Sequence, residues 1–244
     1  MLTTSVFEFP AGRGILLENL PFQYEIADQL LDVPALPETL LAIELQLRGR
    51  SVDLREISAA VLGDLGATIQ ILRLAGREYG GAEDAPSRVE DCISDLGLEE
   101  CLKAAASGAF VRGSRQSAVS EMWAHSREIA QYCKLLAEES YGPINPQDAY
   151  MAGLLHAMGA LPEVLGWGRH EIANDRALSA FRMAEQWFLP LRMKEFFLDG
   201  YKRNYNSHWS EIMTTAHDLA TESRARCPLC DTVASRKYKG KSAC

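Results

Sequence analysis

Two histidines carry the clearest potential for chemistry in this sequence, His125 in MWAHSREIA and His156 in AYMAGLLHAMG. On helical spacing His125 shares a face with Met122, Ile129 and Leu136, while His156 follows the small residues Ala149, Ala152 and Gly153, which permit close helix contact. Both imidazoles are therefore expected to point inward. An inward imidazole either ligates a metal or hydrogen-bonds a neighbouring helix, and the second is the simpler expectation. Cys227 and Cys230, in CPLC, have half the spacing of a zinc knuckle, but no second CxxC or histidine pair follows within reach, so the pair reads first as part of an exposed, reduced tail, with a zinc shared across a dimer or a redox pair as the alternatives. Cys133 lies two helical turns from His125, too far for a direct hydrogen bond, and reads as core filler. The sequence contains no phosphate-binding Walker loop, no GxSxG elbow and no GxGxxG after a strand.

The elements that must hold these residues are helices. Apolar residues recur at helical spacing along Leu36, Leu40, Ile43, Leu47, along Leu54, Ile57, Val61, Leu65, and along Ile69, Leu72, Gly76, Tyr79, with no clean strand alternation. Start signals accompany them: Asp53 three residues before Glu56, Ser87 three before Glu90, and Asn145 followed by Pro146. Gly49, Gly80–Gly81, Gly97 and Gly142–Pro143 supply stops. The pattern predicts helices near 22–31, 37–48, 53–62, 66–79, 87–96, 98–111, 117–140, 146–158, 176–188, 190–202 and 208–223, an all-α fold arranged as an orthogonal multi-helix bundle. Residues 1–20 and 224–244 lack periodicity and are expected as an N-terminal extension and a basic, cysteine-containing tail.

With 244 residues and 47% hydrophobic content, the chain can bury a full core without disulfides or metals. Its net charge of −8 argues against a nucleic-acid binder, since phosphate affinity rests on clustered Lys and Arg, and only Arg224 to Lys241 is locally basic. Charges interrupt every apolar stretch well before the roughly 18 residues a membrane span needs, and the N-terminus lacks a secretory pattern. Six scattered cysteines in a chain of this length fit reduced thiols, and the expectation is a cytoplasmic protein away from membranes.

The succession VPALPETLLAIELQLRG, DLREISAAVLGDLGATIQILRLAG and SRVEDCISDLGLEECLKAAASGAF resembles the first half of an HDOD domain. The long helix with Trp123 and His125, the helix ending AYMAGLLHAMG and a late helix with AHDLA continue that pattern, so the resemblance covers about residues 20–223, with an N-terminal helical half near 20–115 and an HD-like half near 116–223. HDOD domains are similar to HD-type metal-dependent phosphohydrolases, whose metal site uses a His, an adjacent His-Asp pair and a later Asp. The resemblance places His125 and His156 at the two histidine positions and Ala157 at the bridging Asp. At the last position His217, not Asp218, matches, because Asp218 lies opposite the apolar face of Trp209, Ile212, Ala216 and Leu219.

A binuclear phosphoesterase needs hard carboxylate oxygens to bridge its cations and hold the attacking water, so replacing the bridging Asp removes more than one bond. The expectation is a non-enzymatic domain with no catalytic residues, no bound metal and no cofactor. What remains is a vestigial pocket of His125, His156, Ala157, His217 and Asp218. The resemblance implies a bacterial signal-transduction module acting by protein-protein interaction. Its partners would be signalling proteins supplied in trans, of two-component or cyclic-dinucleotide type, with homodimerisation left open. Two alternatives remain: a divergent phosphohydrolase recruiting Asp148, Glu163 or His170, and a small-ligand sensor using the vestigial pocket.

Overall fold

The computed structural model describes residues 33–49, 52–80, 86–108, 115–140, 142–167, 176–201 and 207–221. Its helices are α1 (Pro37–Leu47), α2 (Leu54–Leu62), α3 (Leu65–Glu78), α4 (Val89–Leu96), α5 (Leu98–Ala106), α6 (Arg115–Glu139), α7 (Pro146–Leu155), α8 (Leu161–Leu165), α9 (Arg176–Gln186), α10 (Leu191–Tyr201) and α11 (His208–Thr221). Among the described residues there is no strand, and the fold is all-α, as the periodicity predicts.

Local chemistry starts several of these helices. Asp53 caps α2 by accepting the Arg55 N–H at 2.8 Å, and Asn145 caps α7 by accepting the Gln147 N–H at 2.8 Å, with Pro146 at the first helical position. Gly97, at φ +87°, lets α4 end and α5 begin within one residue, a conformation that L side chains rarely adopt. Between α2 and α3 the chain bends by 111°, so the two helices cross nearly at right angles. Their apolar faces, Ile57, Val61, Leu65, Ile69 and Leu72, are buried, as are Met122, Ile129, Leu154 and Leu155 on α6 and α7.

Two hydrogen bonds tie the N-terminal helices to the HD-like ones. Tyr150 on α7 donates its hydroxyl to the Leu62 carbonyl at 2.8 Å, and the Trp123 indole on α6 donates to Asp64 at 2.8 Å. Asp64 is fully buried and caps α3 through the Gly66 and Ala67 N–H groups, at 2.9 and 3.2 Å, while also accepting the Leu36 N–H at 2.6 Å. Burial pushes its carboxyl above the ordinary value, and the converging donors oppose that rise.

The structure corrects several sequence expectations. The cap of α4 is Arg88, whose side chain makes no capping bond, not Ser87. The helix expected to run to 111 ends at Ala106, and past it Gly108 lies so close to Val33 that a Cβ there would sit 2.4 Å from its carbonyl oxygen. The helix expected to reach 158 ends at Leu155, and a 3-10 turn at Met158–Ala160 leads into α8, which was not anticipated. A tight approach accompanies that turn, since a Cβ on Gly159 would lie 2.0 Å from the Arg176 carbonyl oxygen. Leu47 and Leu54 are exposed despite fitting the apolar pattern. The helix expected near 22–31 and the basic tail lie outside the described residues. No single described helix is long and apolar enough to cross a membrane.

Candidate functional site

Close packing of α6 and α7 builds the site. Gly153 lies against the α6 backbone so closely that a Cβ would sit 2.6 Å from the Ala130 Cα, which draws the end of α7 toward the middle of α6. The His156 ring, one residue past the end of α7, then lies 5.2 Å from the His125 ring, centroid to centroid. From α11 comes His217, whose ring is 5.6 Å from His125 and 4.9 Å from His156. One ring nitrogen from each histidine lies within 4.8 Å of the others.

Two of these rings have their tautomer fixed by the backbone. His156 Nδ1 lies 2.5 Å from the Gly153 carbonyl oxygen and His217 Nδ1 lies 2.8 Å from that of Met213. A carbonyl only accepts, so in both rings Nδ1 carries a hydrogen, and in the neutral ring the lone pair is on Nε2. Desolvation holds His156 well below the usual imidazole range, and the neighbouring His217 and His125 lower it further. His156 is therefore biased toward the neutral, electron-donating form.

The structure brings together three of the residues singled out from sequence and separates the rest. Ala157 is buried, 5% exposed, beside His156 and offers no oxygen. Asp218 is exposed, as its helical position predicts. The inward face of α11 is formed by Met213, Ala216 and Ala220, whereas Leu219, assigned to that face from sequence, is 39% exposed. Glu163 is engaged by Arg176 at 2.7 Å, and Asp148 sits in the first turn of α7, at the opposite end of that helix from His156. His170, Cys227 and Cys230 lie outside the described residues. Cys133 is buried, and desolvation pushes its thiol up to about 12, in keeping with a core role and against a nucleophilic one.

Among the described residues no carboxylate joins the three histidines. A pair of cations bridged by carboxylate oxygens does not fit this donor set. Asp64 is a buried carboxylate that sequence reasoning missed. Its partners Leu36 and Trp123 stand 28 and 59 positions away, beyond any local signal.

An all-helical fold with an HD-like second half, a histidine cluster and no bridging carboxylate defines a divergent member of the HD-like class. The HDOD domain model matches residues 33–165, more than half of the chain, and the chain belongs to the HDOD family. An uncharacterized protein of Treponema pallidum (strain Nichols) is 24% identical over 172 residues, covering 67% of this chain and 33% of that protein, so the chain spans about a third of the relative's length. Among solved structures, the MmoQ response regulator from Methylococcus capsulatus (strain Bath) superposes with a TM-score of 0.62 at 20% identity, covering 82% of this chain and 90% of that one. A virulence factor from Campylobacter jejuni superposes with a TM-score of 0.53 at 14% identity, covering 77% and 76%. At these identities the likeness establishes the fold.

Proposed function

We propose that this chain is a catalytically inactive regulatory module of bacterial signal transduction that works in the cytoplasm by binding protein partners supplied in trans. The observation that carries this reading is the donor set of the cluster, three histidines with no carboxylate among the described residues and with Asp218 exposed; on the resemblance to HD-type sites, Ala157 falls at the bridging position and His217 at the last carboxylate position. Phosphoester hydrolysis on a bridged metal pair requires the charge and hard oxygens that these substitutions remove. Exposed apolar side chains on α1 support partner binding. Leu41 and Leu45 lie one turn apart on α1 and are 55% and 62% exposed, with Val52 and Leu54 also exposed nearby in sequence.

The test has two arms. Purified full chain with Mn²⁺ should hydrolyse phosphomonoesters and cyclic dinucleotides no faster than its His156→Ala variant. In-cell cross-linking should yield a discrete signalling partner that Leu41→Asp combined with Leu45→Asp no longer captures. Turnover that disappears in His156→Ala, or capture indifferent to the α1 substitutions, overturns the reading.

A further inference from the structure

We propose that His125, His156 and His217 form a site for a single zinc-class divalent cation, held by three imidazole nitrogens with a fourth coordination position open. This goes beyond the regulatory reading and stands or falls separately from it.

Three features of the cluster carry the assignment. The first is geometry. A tetrahedral zinc with Zn–N bonds of about 2.0–2.1 Å needs its nitrogens about 3.3 Å apart. The three donor atoms already lie within 4.8 Å of one another, so closing on a common centre moves each by about 1 Å or less. The ring planes meet at 69°, 55° and 81°, fanned around a shared space and not stacked.

The second feature is the support behind the donors. A metal-ligating histidine almost always gives its other ring N–H to a carbonyl or carboxylate, which fixes the tautomer and raises the basicity of the donor nitrogen. His156 and His217 both make that bond, to Gly153 and Met213, which leaves Nε2 of each as the donor. They do so from different helical contexts, one at the end of α7 and one within α11, so one local motif does not account for both.

The third is the chemical match. Three imidazoles favour borderline d-block ions, and the missing carboxylates disfavour Mg²⁺ and Ca²⁺, which demand oxygen ligands. The donor set suits one cation and excludes the bridged pair rejected above.

The test uses full-length protein stripped with a chelator and then titrated with Zn²⁺ against a chromophoric competitor, with Co²⁺ as a spectroscopic substitute. The expected result is one saturable equivalent, visible d–d bands for Co²⁺, and no displacement by excess Mg²⁺ or Ca²⁺. His156→Gln and His217→Gln should each weaken Zn²⁺ binding by at least about 100-fold, since losing even an outer partner of a ligand costs 10- to 100-fold. Cys227→Ser with Cys230→Ser should leave the equivalent unchanged. X-ray absorption on the zinc-loaded wild type decides the matter without any variant: nitrogen at about 2.0–2.1 Å supports the site. Sulfur bound to the zinc, binding that survives the histidine substitutions in folded protein, or no saturable binding at neutral pH each overturns it.

Discussion

The N-terminal helices bury one carboxylate, Asp64, and surround it with donors, whereas the HD-like helices gather three imidazoles and bring no carboxylate to them. The difference separates two uses of buried polarity. Around Asp64 the oxygens accept from Leu36, Gly66, Ala67 and Trp123, so the charge is spent on holding α3, α6 and the segment before α1 in place. Around the histidines, two ring nitrogens bond the backbone, at Gly153 and Met213, and one nitrogen of each ring lies within 4.8 Å of the others. A buried group ringed by donors from the surrounding fold is structural, and a set of ligand atoms converging on one place is a candidate site.

The largest effect that tests this contrast is at Asp64. Replacing Asp64 with Ala strands several buried N–H donors, each costing about 1–3 kcal/mol when unsatisfied, and the total loss should be about 3–5 kcal/mol by denaturant unfolding. A loss below about 1 kcal/mol would remove the structural role assigned to this carboxylate and collapse the contrast.

Gly153→Ala should come next. The added methyl collides with the α6 backbone at Ala130, and overpacking of this kind costs about 1–3 kcal/mol. Because α7 must move away from α6, Zn²⁺ binding should weaken together with stability. Unchanged metal affinity in a destabilised variant would uncouple helix spacing from the site.

The smallest effect concerns pH. Burial raises the folded-state carboxyl of Asp64 above its ordinary 3.8, so in the interval between 3.8 and the raised value the native state holds more protons than the unfolded state. Stability from this group is then greatest at the acid end of that interval and falls as pH rises through it. Asp64→Asn, which cannot titrate, should cost more near pH 3.8 than at pH 7. Melting temperatures of the two proteins across that range measure it, and a cost that grows toward neutral pH would contradict the direction of the shift.

How much of this was legible in the sequence follows from the range of each signal. Asp53 and Asn145–Pro146 announce α2 and α7 because a cap and its N–H partner lie two residues apart. His217 could be set against His125 and His156 because the AHDLA motif carries a register. Ser87 misled because it has the composition of a cap but stands one residue early. The short helix α8 was hidden because Leu161–Leu165 is too short to display periodicity. The role of Asp64 was hidden, since nothing within a helical turn reveals an indole 59 positions on. The distances among the three rings were equally hidden, because they depend on a glycine-to-backbone contact between separate helices.

Trp123 and His125 stand two residues apart on α6, about 200° around the helix from each other. One side of a single turn therefore grips the N-terminal helices through Asp64, and the other side contributes to the histidine cluster. The two residues share one turn of a hydrogen-bonded helix, so any rotation of α6 that re-aims the imidazole also shifts the indole. The position of the His125 ring and the Trp123–Asp64 hydrogen bond are thus set by the same turn of α6.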